Sequence, residues 1–348
     1  MKSKILFFYG LIIISVVGCS EVKTTTPDQD HQTGAPAEAA EKGSAKSPSS
    51  MIIAAWRGIK QRALGTKTSC WDNPLADGNV LILAMGANTR GLTETNKDAQ
   101  NFADAMQNLF KVDKSRVCVL KDVHKDEFEQ ALKRLNDEQM VGADDLVIIY
   151  FSGHGTQKRD SGDMDEKTDN CDEFLVTSKR KDEFEKAAHL QDDQFAKLVE
   201  GIPTNQILTV IDACYSEGST KGETSNERVK STSSEEDKLC PIHEGVELDH
   251  TKGILLSAAT ENQKAVELRG MCETTKEKDG NFGGRFTRFF LDALKQAKNK
   301  PEKVDLLKVF NQAKEMVYVH SDKCSETAQN PRLLGDEKLF HTINRYIP

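Results

Sequence analysis

The sequence predicts an α/β fold in which helices cover both faces of a mostly parallel sheet. Strongly apolar runs such as DDLVIIYFSGHG recur along the chain and carry apolar residues toward both faces, which is typical of buried parallel strands. Segments with the helical spacing of apolar residues separate these runs. The chain has 348 residues, of which 37% are hydrophobic, enough for one large domain or two small ones.

Each element follows from the apolar pattern in turn. Strands are predicted at NVLILAMG, RVCVL, DDLVIIYFSGHG, ILTVIDAC and GILLSAAT. Helices are predicted over residues 94–110, 124–140, 193–199, 285–298 and 305–320. This alternation of strands and helices favours an α/β sandwich. Two polar segments, 157–172 and 217–238, follow directly on strand ends, where open α/β sheets carry their active sites.

The N-terminus predicts export. Met1–Lys4 is basic, and Ile5–Val17 is apolar but too short to span a bilayer. The following VVGCS resembles the lipobox of bacterial lipoproteins, which implies a signal peptide over residues 1–18 and lipidation of Cys19. By that resemblance the protein is anchored in the bacterial envelope and faces the periplasm or the exterior. Ser20 after the cysteine favours the outer membrane. An ordinary secretory signal, with Cys19 incidental, is the alternative.

Composition divides the remaining chain. Residues 19–50 are rich in small, polar and charged residues and predict a flexible tether, 51–78 form an N-terminal extension, and 79–348 form the globular domain. The net charge of −8 argues against a nucleic-acid partner. Of eight cysteines, seven remain after Cys19, so at least one thiol stays free or pairs between chains. We expect Cys214 to be free; the pairing of the others stays open.

A histidine and a cysteine each close a predicted strand. If the strands ending in SGHG and DACYS are parallel neighbours, His154 and Cys214 meet at one sheet edge. A thiol reacts as a nucleophile when a nearby imidazole takes its proton or lowers its pKa. The backbone amides of Gly155 and Cys214 are then the expected donors to the oxyanion of a tetrahedral intermediate. Taken singly, each residue also fits an inert role, as a buried thiol or a loop histidine.

These motifs resemble those of the caspase-like cysteine peptidases, among them the metacaspases and their bacterial relatives. YFSGHG matches the histidine motif of that family and DACYSEG its cysteine motif, and supporting segments such as DEFLVTS and NPRLLG keep their order. The resemblance covers residues 79–340. It implies a caspase-like three-layer sandwich and a cysteine endopeptidase that acts through an acyl-enzyme thioester. Cys214 is then the nucleophile and His154 the general base and acid.

The same resemblance implies a specificity pocket. Asp212 lies two residues before Cys214, so in a strand both side chains share a face. In metacaspases the matching aspartate lines the primary pocket together with positions that correspond here to Asp98 and Ser152. Two carboxylates demand a cation, which predicts protein substrates cleaved after Arg or Lys, with arginine favoured by its planar fork. The alternative makes Asp98 a surface acid of a helix and Asp212 a structural partner.

Two forms of control are implied as well. Some metacaspases require Ca²⁺, and Asp169, Asp192 and Asp193 fall near the corresponding positions; a solvated acidic loop is an equal alternative. No motif implies an organic cofactor. Residues 217–238 lie where caspase-like zymogens are cut, and Arg228 is the favoured processing site.

The alternatives for function are a clostripain-type or legumain-type peptidase and a catalytically silent binding module at the envelope.

Overall fold

The computed structural model describes residues 70–71, 75–159, 171–180, 188–214, 227–230, 252–260, 263–268, 283–324 and 327–348. The predicted signal peptide, Cys19, the tether and nearly all of the N-terminal extension lie outside the described residues, as does Asp169. Among the helices within these ranges, none is long and apolar enough to cross a membrane.

A six-stranded sheet forms the centre of the domain. Its strands are β1 (Val80–Gly86), β2 (Val117–Lys121), β3 (Leu146–Ser152), β7 (Gln206–Asp212), β9 (Ile254–Ser257) and β12 (Arg332–Gly335). They lie side by side in the order β12-β9-β7-β3-β1-β2. All neighbours pair in parallel except β12, which runs antiparallel to β9 at the edge. The predicted mostly parallel sheet is confirmed.

Helices cover the sheet on both sides and make three layers. They are α1 (Thr95–Phe110), α2 (Lys125–Leu135), α3 (Asp192–Glu200), α4 (Arg285–Lys298), α5 (Leu306–Cys324) and α6 (Leu339–Ile343). Helices α1, α4 and α5 pack with one face, and α2 and α3 with the other. Along β1, Ile82 and Ala84 join the first core while Leu81 and Leu83 join the second, because successive side chains of a strand alternate in direction. This double burial explains the continuous apolar runs.

Two small antiparallel sheets were not predicted. One contains β4 (His154–Arg159), β5 (Cys171–Val176) and β6 (His189–Gln191); the other contains β8 (Glu227–Val229), β10 (Val266–Leu268) and β11 (Gly283–Gly284). The predicted third strand also ends earlier, at Ser152, and His154 opens a new strand. Two helix boundaries differ from the prediction, since α2 stops at Leu135 and α5 continues to Cys324. The strands β6, β8, β10 and β11 have two or three residues, too few for a periodic signal, whereas β4 and β5 have six residues each and were missed all the same.

The position of the site follows from the pairing of β3 and β7. These strands are parallel neighbours, with Ser152 opposite Asp212 at their carboxyl ends. A disulfide joins Cys70 to Cys118 in β2, with the Cα atoms 5.4 Å apart. Cys214 is the free cysteine in the described part of the chain, as predicted.

Candidate active site

The carboxyl ends of β3 and β7 bring the histidine and cysteine segments into contact. A Cβ atom on Gly155 would lie 1.5 Å from the backbone oxygen of Cys214, so this close approach requires glycine. The two residues also share a hydrogen-bond acceptor. Gly155 N donates to the carbonyl oxygen of Lys230 at 2.9 Å, and Cys214 N donates to the same oxygen at 3.3 Å. The predicted pair of oxyanion donors therefore points at one backbone carbonyl.

The thiol and the imidazole are both buried. The Cys214 side chain hydrogen-bonds with the backbone of Ala265, donating to its carbonyl at 3.3 Å and accepting from its amide at 3.0 Å. Burial raises the pKa of the Cys214 thiol to about 12. Burial lowers the pKa of the His154 imidazole to about 4, against the opposing effect of the backbone of Lys230 and Arg90. Both groups are therefore neutral near pH 7 in this arrangement.

The carbonyl between the two amides belongs to a segment that lies across the site as an added strand. β8 pairs antiparallel with β10, with Val229 opposite Val266. Lys230 continues this pairing, because its amide donates to the carbonyl of Ala265 at 2.9 Å. Strand addition of this kind is a common mode of peptide binding. The backbone of residues 227–230 thus lies between β10 and the segments that carry Gly155 and Cys214.

The Lys230 side chain extends from this strand into a buried acidic pocket. Its ammonium lies 2.9 Å from Oδ1 of Asp212 and 3.8 Å from Oδ2 of Asp98, and all three side chains are almost completely enclosed. It donates hydrogen bonds to Ser152 Oγ at 2.9 Å and to the backbone oxygen of Asp212 at 3.1 Å. The structure therefore brings the three predicted pocket residues together around one lysine.

Neighbouring donors fix the two carboxylates. Oδ2 of Asp98 accepts from Ser152 Oγ at 3.1 Å and from Gly284 N at 2.9 Å. Oδ2 of Asp212 accepts from the hydroxyl of Thr287 at 2.6 Å and from its amide at 3.1 Å. Burial raises the pKa of Asp98 to about 7. Burial lowers the pKa of Lys230, but the attraction of both carboxylates outweighs it, and the pKa of the ammonium is raised overall.

Comparison with known proteins identifies the family. A family model described as the caspase domain matches residues 78–337. The chain belongs to the caspase-domain family. Members of this family are cysteine peptidases, and the three-layer architecture of the chain is that of the caspase domain.

Individual relatives of this caspase domain are distant. Metacaspase-5 of Trypanosoma brucei brucei is 36% identical over 74 residues, which are 21% of this chain and 13% of that relative. A solved protein of Geobacter sulfurreducens shares 17% identity with a TM-score of 0.49, covering 76% of this chain and 97% of its own. Caspase-1 of Spodoptera frugiperda shares 12% identity with a TM-score of 0.43, covering 76% and 90%.

A buried glutamate of the caspase domain was not predicted from sequence. Glu267 in β10 accepts from the amides of Thr93 and Glu94, at 3.0 and 2.8 Å, just before α1. Glu267 therefore links β10, which pairs with residues 227–229, to the residues just before α1. Helix α1 carries Asp98. The signal for it was the triplet VEL at residues 266–268, which places Glu267 between two apolar residues.

The remaining candidate residues lie elsewhere. Arg228 sits in β8 opposite Glu267 in the backbone register, two residues before Lys230. Asp192 and Asp193 begin α3, where Asp193 forms an ion pair with Lys197 at 3.7 Å. Across the described ranges, no group of three or more ligating side chains is placed to hold a metal ion. The calcium site remains a prediction, since its third member, Asp169, lies outside those ranges.

Proposed function

We propose that this caspase domain is a cysteine endopeptidase that cleaves proteins after basic residues, and that it holds its own residues 227–230 as a substrate. One observation carries the proposal. Lys230 places its carbonyl oxygen on the amides of Gly155 and Cys214 while its ammonium lies among Asp98, Ser152 and Asp212. A residue whose carbonyl reaches both amides and whose side chain fills the acidic pocket has the position of the residue before a scissile bond.

The chemistry follows from this position. The sulfur of Cys214 attacks the carbonyl carbon, and His154 takes the thiol proton. The carbonyl oxygen gains the negative charge, which the amides of Gly155 and Cys214 stabilise by donating hydrogen bonds. His154 then delivers the proton to the leaving amine, and a thioester remains. Water, deprotonated by the same imidazole, hydrolyses the thioester and regenerates the thiol.

The arrangement described is a closed one. The thiol is enclosed and hydrogen-bonded to Ala265, and its pKa of about 12 leaves almost no thiolate near neutral pH. Entry of water around Cys214 and His154 removes the main cause of both pKa shifts, which is burial. We therefore infer that the protein is a zymogen and that release of residues 227–230 activates it. For the processing site, the geometry favours Lys230 over the sequence-based choice of Arg228.

The envelope location is proposed on separate grounds. The lipobox-like VVGCS supports lipidation at Cys19, and the Cys70–Cys118 disulfide supports an oxidising compartment. Complete burial also shields the Cys214 thiol from oxidation in that compartment. Incorporation of an alkyne fatty acid during growth, lost in Cys19→Ala, tests the anchor.

The peptidase activity is tested with the chain from Ser20 onward and fluorogenic peptides that end in Lys, Arg, Asp or Asn. The assay runs under reducing conditions, with and without Ca²⁺, beside Cys214→Ala. We expect cysteine-dependent cleavage after basic residues. Cleavage only after Asp or Asn would support the catalytic pair but contradict the proposed specificity of the acidic pocket. No cleavage by the chain or by Lys230→Met, with Cys214 unlabelled by a reactive peptide in both proteins, would indicate a binding module. Stimulation by Ca²⁺ would support the proposed calcium ligands.

A further inference from the structure

The acidic pocket accommodates an ammonium group closely. The Lys230 ammonium donates hydrogen bonds to Oγ of Ser152 at 2.9 Å and to the backbone oxygen of Asp212 at 3.1 Å, and it forms an ion pair with Oδ1 of Asp212 at 2.9 Å. An ammonium carries its charge and its three donors on a single atom, so one compact group can contact all three oxygens at once.

The same oxygens are poorly arranged for a guanidinium. Arginine binds a carboxylate best when two parallel N–H groups meet both oxygens of that carboxylate. Here Oδ2 of Asp212 is already held by the hydroxyl and amide of Thr287, and Tyr150 braces that hydroxyl with a contact of 2.7 Å. Oδ2 of Asp98 is likewise held by Gly284 and Ser152. Asp212 therefore offers the ligand one side-chain oxygen. Among the described residues, neither Asp98 nor Asp212 presents both of its carboxylate oxygens to the ligand without another donor.

The end of the pocket also leaves little room beyond the ammonium nitrogen. A Cβ atom on Gly284 would lie 2.5 Å from the Lys230 ammonium and 2.1 Å from Oδ2 of Asp212, so the backbone of Gly284 closes the pocket against the nitrogen. The Lys230 side chain has no solvent exposure. An arginine side chain is one bond longer and ends in a wider planar group, which this enclosed end does not receive without displacing Gly284 or Asp212.

We propose that this pocket selects lysine over arginine, with Gly284 limiting its depth and Thr287 acting as a positioning residue that keeps one Asp212 oxygen from the ligand. The inference rests on the proposed function and narrows its substrate class to peptides with lysine before the scissile bond. A misfit of this size in an enclosed pocket corresponds to a discrimination of about 10- to 200-fold. We expect the kcat/KM for lysine peptides to exceed that for arginine peptides by at least about 10-fold.

The test compares two peptides that differ only in the last residue, Glu-Gln-Val-Lys and Glu-Gln-Val-Arg, each joined to a fluorophore, with Cys214→Ala as the blank. The first three residues follow positions 227–229 of the chain, with Gln in place of Arg228 to remove a second basic residue. Cysteine-dependent cleavage with a lysine preference of about 10-fold or more supports the inference. Equal cleavage, or an arginine preference, overturns it while the proposed peptidase stands. Absence of cysteine-dependent cleavage by the chain and also by Lys230→Met, whose pocket lacks the chain's own ammonium, counts against the proposed function itself.

A second arm tests the pocket without catalysis. In a His154→Ala background, the rate at which a small alkylating reagent modifies Cys214 reports how often residues 227–230 leave the site. We expect Lys230→Arg to raise this rate at least about 10-fold over the Lys230 protein, since a guanidinium fits the pocket poorly. Equal rates would overturn the inference even if no peptide were cleaved.

The role of the positioning residue is tested by the substrate ratio. Thr287→Val removes the hydroxyl that holds Oδ2 of Asp212 and keeps the side-chain shape, so the lysine-to-arginine ratio should fall. Thr287→Ser restores the hydroxyl and should restore the ratio. If Thr287 had a merely structural role, Thr287→Val would lower cleavage of both peptides equally. An unchanged lysine-to-arginine ratio in Thr287→Val would show that Thr287 does not contribute to the selectivity.

Discussion

Replacing Lys230 with methionine should open the site. The Lys230 side chain is fully buried with Asp212, so methionine keeps most of its apolar stem while deleting the ammonium. The carboxylates of Asp98 and Asp212 then remain in the pocket without their counter-charge. The chain relieves this by releasing residues 227–230, which lets water reach both carboxylates and the thiol of Cys214.

The size of the effect follows from the burial of the pair. Removing one partner of a buried ion pair costs about 3–5 kcal/mol while the other charge stays buried. Since about 1.4 kcal/mol corresponds to a factor of ten, the open form should gain about 100-fold to several thousand-fold in population. Asp98 takes up a proton readily, because burial raises its pKa to about 7, and this lessens the repulsion. We therefore expect the lower end, about 100-fold.

Alkylation of Cys214 measures this opening. Peptide mapping by mass spectrometry follows the modification of Cys214 alone, in a His154→Ala background that prevents self-cleavage. Lys197→Met is the matched control, because Lys197 pairs with Asp193 at 3.7 Å and its side chain is 76% exposed. Lys230→Met should speed alkylation about 100-fold and the control should leave it unchanged. Equal rates with and without the Lys230→Met substitution would refute the view that the ammonium holds the segment in place.

Three further predictions concern stability and the backbone at the site. Burial raises the pKa of Asp98 from 3.8 to about 7, so the folded protein holds a proton that the unfolded chain releases. Stability from this group therefore falls as the pH rises between these values, and Asp98→Asn should flatten the Tm profile there. Gly155→Ala should lower cleavage about 100-fold or more and reduce Tm, since its Cβ meets a backbone oxygen at 1.5 Å; Gly142→Ala, with its nearest neighbour at 3.8 Å, should do neither. Removing the Cys70–Cys118 disulfide, which closes a separation of 48 residues, should cost about 2–4 kcal/mol by denaturant unfolding. An unchanged midpoint would show that the bond does not stabilise the fold.

Much of the fold could be predicted because buried strands appear in the sequence as continuous apolar runs. The apolar runs at β1, β3 and β7 are buried on both faces, and no other arrangement satisfies such runs as simply. The placement of His154 and Cys214 followed from one assumption, that β3 and β7 are parallel neighbours, and this pairing is observed. The pocket residues required the family resemblance, since Asp98 lies on a helix far from β7 in sequence.

The sequence did not predict which basic residue fills the acidic pocket. Arg228 and Lys230 are both basic and two residues apart, so strand alternation gives them the same face and cannot choose between them. The choice depends on the register of β8 on β10, where Val229 lies opposite Val266. Such short strands carry no periodic pattern that fixes a register. The closed state of Cys214 also depends on contacts with Ala265 that no local pattern encodes.

The most direct test of the central claim is mass spectrometry of the purified chain for a cut between Lys230 and Ser231. The account predicts a new carboxyl terminus at Lys230 in the active protein. The same terminus should be absent from Cys214→Ala and from Lys230→Met. A terminus at Arg228 instead, or a cut at Lys230 that persists without Cys214, would contradict the claim that Lys230 lies in the site as the enzyme's own substrate.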